Sequence, residues 1–201
     1  MEKTSKQTSG GRWKLFLILA VCAAPMIFSY LAYYVIKPSG RTNYGTILDP
    51  RQYPAPVFQA HFLGDDANAK NVELSDLKGK WLMLQIDSGA CGQYCQTKLY
   101  DIRQLRLAQG KEMDRIERVW FVTDNQPIDT LLLREYDGTR ILKINPEILK
   151  KWLPVDDGTQ ISDHIYMIDP LGNLMMRYPK NADPNKIKKD IAKLLRASAI
   201  G

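Results

Sequence analysis

The sequence predicts an α/β domain, with a central sheet flanked by helices, preceded by one N-terminal transmembrane helix. Three observations support this fold class. The run from Leu15 to Ile36 contains no charged residue. Further along, Trp81–Ile86 and Val119–Val122 are short and nearly all apolar, which is typical of strands buried on both faces. Between and after them, apolar residues recur at helical spacing.

The predicted membrane helix covers residues 13–36. At about 1.5 Å per residue the uncharged run would extend about 33 Å, enough to cross a hydrocarbon core of about 30 Å. Trp13 and a group of tyrosines lie at its two ends, where amphipathic rings favour the membrane interface. A cleaved signal peptide is the alternative, but its apolar region is usually shorter, about 7–15 residues. We therefore expect a retained anchor, in which Cys22 is a small apolar residue of the span.

Charges near the span indicate its orientation only weakly, because Lys and Arg flank both ends. A short cytoplasmic tail, residues 1–12, gives the simpler topology. Residues 37–56 contain Pro, Gly, Arg and Asn without an apolar period and are predicted to be a linker. The folded domain is then expected over residues 57–201, on the far side of the membrane.

Composition excludes several classes of function. The net charge is +6 and the pI about 9.1, yet the basic residues are spread along the chain without interleaved aromatic residues, so nucleic-acid binding is not expected. The basic surface fits anionic lipid or an acidic redox partner better. Three cysteines are too few for a disulfide-stapled scaffold.

The order of elements predicts the type of sheet. A strand at Trp81–Ile86 leads through a short loop into a helix from Cys91 to about Gln109, and a second strand follows at Val119–Val122. Two further helices are predicted at Asp129–Tyr136 and from Asn145 to about Trp152, where Pro146 suits a first helical turn.

The C-terminal part is predicted to be a hairpin and a helix. Ile165–Ile168 and Leu174–Tyr178 flank a turn-rich link, and Asp183 and Pro184 begin an amphipathic helix. The order β-α-β-α, hairpin, α is that of a thioredoxin-like sheet sandwiched by helices.

Cys91 and Cys95 are the candidate redox-active pair. In a helix that begins near Cys91, this spacing places the two sulfurs one turn apart on one face. The helix N-terminus favours a thiolate, the form needed for disulfide exchange and for soft-metal ligation. Small neighbours such as Gly89 and Gly92 are expected to leave the sulfurs uncovered. The alternatives are two ordinary buried cysteines or, less suitably spaced, a structural zinc site.

The sequence has two histidines. His164 directly precedes the predicted strand Ile165–Ile168, and in a thioredoxin-like sheet the loop entering that strand faces the start of the cysteine helix. It is therefore the candidate third ligand, completing a sulfur, sulfur, nitrogen set suited to copper. His61 lies in a strand-like segment and is interpreted as structural.

The motifs resemble the Sco/SenC family of copper chaperones for cytochrome c oxidase assembly. The resemblance rests on Leu74–Lys80, on Cys91 and Cys95, and on Asp163–Gly172, in the same order after a single N-terminal span. The chain is identified as a divergent member, because Gly92 and Gln96 stand where the family usually has proline.

The resemblance implies a thioredoxin fold anchored in the inner membrane, with the domain in the periplasm. It also implies copper bound through Cys91, Cys95 and His164. The implied partner is the copper-site subunit of cytochrome c oxidase or another copper chaperone. A thiol-disulfide oxidoreductase without stable copper binding is the alternative, although such enzymes use a two-residue cysteine spacing. An interaction module with incidental cysteines is the third possibility.

Overall fold

The computed structural model describes residues 10–36, 43–63 and 71–200. It separates into two compact units, residues 1–42 and 43–201. Residues 1–9 of the predicted cytoplasmic tail and residues 37–42 of the predicted linker lie outside the described residues.

The described residues of the first unit, 10–36, are helical throughout. Helix α1, Gly10–Leu31, continues as a π-helical segment over Ala32–Ile36. Within it, Trp13–Ile36 has a mean hydropathy of 2.3 and is long and apolar enough to cross a membrane. Its large apolar side chains are not covered by other parts of the protein, as expected of a helix that is surrounded by lipid. The prediction of an apolar helix over residues 13–36 is confirmed.

The second unit is built on one mixed sheet. Its strands among the described residues are β1, Thr46–Ile47; β2, Gln59–Phe62; β3, Asn71–Glu73; β4, Trp81–Asp87; β5, Ile116–Val122; β6, Thr139–Lys143; β7, Ile165–Ile168; and β8, Leu174–Tyr178.

Helices cover the sheet. The α-helices of this unit are α2, Gln93–Leu107; α3, Thr130–Glu135; α4, Pro146–Trp152; and α5, Pro184–Ala197. Asp129, Asn145 and Asp183 cap α3, α4 and α5 by accepting backbone N–H groups, which satisfies donors that a helix start leaves unpaired.

The strand order is β1-β8-β7-β4-β5-β6-β2-β3. Strands β4, β5 and β6 are parallel, whereas β7 runs antiparallel to β4 and β8 antiparallel to β7. The centre of the sheet is therefore β7-β4-β5-β6, the arrangement expected of a thioredoxin-like fold. The carboxyl end of β4, where the cysteine loop begins, lies between β5 and the start of β7.

Alternate side chains of β4 enter opposite halves of the core. Leu82 and Leu84 pack on the side that contains Trp152 of α4, and Met83 packs with Ile102 of α2 and Ile187 of α5. Because both faces are covered, β4 is apolar almost throughout, which is the pattern from which it was predicted.

The folded unit begins earlier than the predicted boundary at residue 57. Residues 46–47 form β1 on β8, Leu48 is buried, and the backbone N–H groups of Tyr44 and Gly45 bind Asp190 of α5. Much of the predicted linker is therefore part of the domain. A two-residue strand has no apolar period from which it could be predicted.

Candidate redox site

Cys91 and Cys95 lie where β4 passes into α2. The loop between them and β4 is short, and the N–H of Cys91 donates to the carbonyl of Ser88 at 3.1 Å. Helix α2 begins at Gln93 with Gly92 as its N-cap, so Cys95 is in the first turn while Cys91 precedes the helix. Cys91 has a φ of +37°, a left-handed conformation that is rare for residues other than glycine.

The two cysteines form a disulfide, with Cα atoms 5.1 Å apart. The structure thus brings together the predicted pair. By the loop-closure relation, a cross-link between residues this close in sequence stabilises the fold by only about 2 kcal/mol, at the low end for disulfides.

The sulfurs are covered, contrary to the expectation from their small neighbours. Cys91 is 0% and Cys95 2% exposed. They share an apolar cluster with Trp120 of β5 and with Leu132 and Tyr136 at α3. The glycines lack bulk, but side chains distant in sequence supply the cover, which local sequence does not reveal.

A buried amide contacts Cys95. Gln85 of β4 is 0% exposed, and its Nε2 lies 3.3 Å from the Sγ and 3.5 Å from the carbonyl oxygen of Cys95. Its Oε1 is buried without a hydrogen-bond partner among the described residues. Gln85 was not among the site residues predicted from the sequence, although one amide inside the apolar run of β4 is a visible signal.

A buried ammonium lies one turn after Cys95. The Nζ of Lys98 donates to the carboxylate of Asp87 at 3.0 Å, to the carbonyl of Ile86 at 3.3 Å and to the carbonyl of Ser162. Burial lowers the pKa of Lys98, and the Asp87 carboxylate opposes that shift. Through these bonds Lys98 connects α2 with the end of β4 and with the turn before β7. Nothing in its local sequence marks it as buried.

The turn before β7 contacts the start of α2, as predicted from the sequence. Tyr94 donates its hydroxyl to the carbonyl of Asp163 at 3.1 Å, and Lys98 reaches Ser162. His164 follows directly and is 0% exposed.

Both ring nitrogens of His164 are engaged. Nδ1 lies 2.9 Å from the carbonyl oxygen of Tyr178, and Nε2 lies 2.7 Å from the hydroxyl oxygen of Thr159. A carbonyl can only accept, so Nδ1 carries the proton. The Thr159 hydroxyl oxygen lies 2.7 Å from Nε2 and also 2.7 Å from the carbonyl oxygen of Asp156, so in the neutral ring these two acceptors compete for its one proton. Burial lowers the pKa of His164, which favours this neutral form.

The predicted copper ligands do not form a metal centre in this state. In the described parts of the chain, no group of three or more His, Cys, Asp or Glu side chains is arranged to hold a metal ion. The two sulfurs are bonded to each other, and the Nε2 of His164 is occupied by Thr159. The disulfide form therefore does not fit copper.

The other histidine is separate from this site. His61 is exposed on β2, where it pairs with Asn71 and Lys143. Two strands, β5 and β6, separate β2 from β4 in the order of the sheet. Cys22 is an unpaired, exposed residue of α1.

Comparison with solved structures supports the fold. Copper-bound ScoI of Arabidopsis thaliana is 18% identical, with a TM-score of 0.54, and the match covers 72% of this chain and 99% of that one. Yeast Sco1 is 15% identical, with a TM-score of 0.57 and coverages of 73% and 97%. A putative thioredoxin from Neisseria meningitidis is 18% identical, with a TM-score of 0.53 and coverages of 72% and 91%. The expected resemblance to the Sco/SenC fold is confirmed.

Family models match both units. Residues 6–35 match a "transmembrane-like, N-terminal domain", and residues 81–198 match a "transmembrane-like, thioredoxin-like, C-terminal domain". None of the curated proteins matches the chain. The second model covers more than half of the sequence and includes both cysteines and His164, so the chain belongs to this transmembrane-like, thioredoxin-like family.

Proposed function

We propose that this protein is a membrane-anchored thiol-disulfide redox protein whose Cys91 and Cys95 alternate between a disulfide and a dithiol. The observation that carries the proposal is the disulfide itself, which joins the first turn of α2 to the loop after β4. Unpaired N–H groups at a helix start lower cysteine pKa values, and that is a requirement of exchange.

The reaction transfers two electrons to a partner disulfide. The Cys91 thiolate attacks one partner sulfur and breaks the partner's S–S bond, whose other sulfur leaves as a thiolate and takes up a proton. The Cys95 thiolate then attacks Cys91, which forms the intramolecular disulfide and releases the second partner sulfur, also to be protonated. The two protons are those that the Cys91 and Cys95 thiols give up, so the exchange is balanced.

Exchange requires that the cysteines become accessible. The pair is buried in one cluster with Leu132 and Tyr136 of the α3 region, and α3 has only six residues. Cys91 also holds a left-handed backbone conformation, which costs about 1–3 kcal/mol. We expect movement of the cysteine loop away from this cluster to expose the sulfur of Cys91.

The proposed site of action is outside the cytoplasm, at the inner membrane, with the domain in the periplasm. Disulfides persist in oxidising compartments, and the apolar helix Trp13–Ile36 would hold the domain at the membrane. The proposed partner is a thiol pair that must be reduced before it binds copper, in the copper-site subunit of cytochrome c oxidase or in another copper chaperone. Protease digestion of intact and permeabilised spheroplasts tests this, because a periplasmic domain is cut in both.

A redox titration tests the exchange. The full chain in detergent, with Cys22→Ser, is equilibrated with glutathione buffers, and the Cys91–Cys95 disulfide is quantified by alkylation. We expect a reversible two-electron transition that Cys91→Ser abolishes. A potential below about −300 mV would identify a structural disulfide and contradict the proposal.

Copper delivery is the second candidate function, with copper as the cargo of the reduced form. The observation in its favour is that Nδ1–H of His164 donates to the carbonyl of Tyr178, since metal-binding histidines usually fix their other ring nitrogen in this way. Reduction would free both sulfurs, and Nε2 would have to leave Thr159. Titration of the dithiol protein with Cu(I), beside Cys91→Ser, Cys95→Ser and His164→Ala, tests this, and less than one copper per chain would contradict it.

A further inference from the structure

Gln85 is a polar residue in an unfavourable position for stability. It lies on the central strand β4, between Leu84 and Ile86, and all three are buried. Burying an amide without full hydrogen bonding destabilises the folded state. An apolar residue at position 85 would make the fold more stable, so stability alone does not account for a glutamine here.

The contacts of Gln85 point to the sulfur of Cys95. Nε2 lies 3.3 Å from Sγ, within hydrogen-bonding distance for sulfur. Oε1 has no partner among the described residues. The unpaired Oε1 can only accept, so the group of this amide that can bind a thiolate is the N–H of Nε2, which already faces Cys95.

We infer that Gln85 is a positioning residue that stabilises the thiolate of Cys95 and so adjusts the redox equilibrium of the pair. This inference rests on the proposed function and adds to it a residue that sets the chemistry of one sulfur.

The physical basis is a difference between the two redox states. A disulfide sulfur is a weak acceptor, whereas a thiolate accepts a charge-assisted hydrogen bond, which is roughly twice as strong as a neutral one. The N–H of Gln85 therefore stabilises the reduced form more than the oxidised form. Cys95 also lies in the first turn of α2, where the helix N-terminus acts in the same direction.

The same contact distinguishes the two cysteines. Gln85 contacts the sulfur of Cys95. Cys91 is contacted by a different glutamine, Gln96, whose Nε2 donates to the backbone carbonyl of Cys91 at 3.0 Å and not to its sulfur. Of the two sulfurs, that of Cys95 is thus the one whose thiolate Gln85 is placed to stabilise. A low-pKa sulfur is also the better leaving group when a disulfide is attacked, so an incoming thiolate is directed to Cys91.

The first test measures the pKa of Cys95 directly. In the full chain in detergent with Cys22→Ser and Cys91→Ser, Cys95 is the remaining cysteine, and its ionisation is followed by thiolate absorbance against pH. Gln85→Met, which keeps an unbranched side chain without the amide, is expected to raise the pKa of Cys95 by about one unit.

Two further variants make this result specific. Gln85→Glu replaces the N–H donor with a carboxylate and is expected to raise the pKa of Cys95 further. Gln109→Met is the matched control, because the Gln109 amide also donates to a backbone carbonyl, that of Leu105, but after the end of α2. Unchanged Cys95 ionisation in both Gln85 variants, with native circular dichroism, would overturn the inference.

The second test is the equilibrium with glutathione. With both cysteines present, Gln85→Met is expected to shift the equilibrium constant about tenfold toward the disulfide, which corresponds to a potential about 30 mV lower. If the parent pair exchanges and Gln85→Met has the parent's constant, the inference fails and the proposed function stands. If the parent pair does not exchange, the proposed function fails, while the pKa measurement still decides the role of Gln85.

Discussion

At the scale of single residues, Lys98 connects the cysteine helix to its surroundings. Its ammonium group is nearly fully buried and binds acceptors from β4 and from the turn before His164. A buried charge is tolerated only where it is paired and hydrogen-bonded. Lys98 therefore positions the first turns of α2 relative to two neighbouring strands.

Lys98→Met is expected to lower the free energy of unfolding by about 2–4 kcal/mol, because it leaves Asp87 and two carbonyls without their donor. Urea denaturation at neutral pH measures the loss. Lys98→Met combined with Asp87→Asn should lose less than the sum of the two single variants, since both remove the same ion pair. Strict additivity would contradict the pairing.

A second buried residue gives a prediction about pH. Tyr178 is 0% exposed, and its hydroxyl has no partner among the described residues. Burial raises the pKa of Tyr178 well above its ordinary value, with a smaller contribution from Asp190. The folded state thus holds the phenol proton more tightly than the unfolded state. That stability is present below about pH 10 and is lost as the pH rises above it.

Tyr178→Phe should therefore have a free energy of unfolding at pH 7 equal to or above that of the parent. Above pH 10 the parent should lose stability faster than the variant, by up to about 1.4 kcal/mol per pH unit. Urea denaturation of both proteins measures this difference in stability. The pH range is about 8 to 11, which spans the ordinary pKa of a tyrosine. The lowered pKa of Lys98 contributes a slope of opposite sign in both proteins, so it cancels. Parallel pH profiles would show that Tyr178 is not the group responsible.

At the scale of elements, the loop between β4 and α2 is fixed by a close backbone approach. A Cβ on Gly89 would lie 2.2 Å from the carbonyl oxygen of Gln126, whereas a Cβ on Gly92 would meet nothing within 4 Å. The N–H of Gly89 also donates to Asp124 at 2.9 Å. Glycine at position 89 thus lets the cysteine loop lie directly against the segment after β5.

Gly89→Ala is expected to destabilise the protein by about 1–3 kcal/mol, because the backbone at Gln126 must move. Gly92→Ala is the control and should cost at most about 1 kcal/mol, as expected of a replaced N-cap glycine. Thermal unfolding of both variants measures the difference. Equal losses would contradict the close contact at Gly89.

Most of the central strands and helices could be predicted from the sequence. Strands β4, β5, β7 and β8 and helix α5 have clear apolar patterns, and the structure contains them at the predicted places. Strand β6, Thr139–Lys143, was not predicted, because three of its five residues are polar or charged. Its place between β5 and β2 follows from pairing across the sheet, which sequence spacing does not encode.

For the candidate site, sequence reasoning identified the residues but not their environment. The spacing of Cys91 and Cys95 predicted that the sulfurs meet. The burial of the cysteines in a cluster with Leu132 and Tyr136 and the engagement of both nitrogens of His164 arise from contacts made only when the chain folds. Such contacts decide which chemistry a residue can perform, and they become visible only in the folded chain.

At the scale of the whole molecule, one carboxylate attaches the beginning of the domain to its last helix. Asp190 of α5 is 2% exposed and accepts the N–H groups of Tyr44 and Gly45 at 2.7 and 2.9 Å. Residues 46–47 then pair with β8 as strand β1. This attachment makes residues 43–48 part of the domain rather than a linker.

Asp190→Ala removes Oδ2, which accepts both bonds, and leaves two N–H groups without this partner; an unpaired N–H group costs about 1–3 kcal/mol when buried. We expect β1 to detach locally while the central strands remain folded, because β1 is a two-residue strand at the edge of the sheet. Hydrogen exchange should show lost protection at Leu48, whose N–H donates to Met175, with protection at Leu84 unchanged. Lys193→Ala removes the exposed ion-pair partner of Asp190 and should retain protection at Leu48. If Asp190→Ala instead unfolds the domain as one unit, the N-terminal segment is an integral part of the core rather than an attached edge.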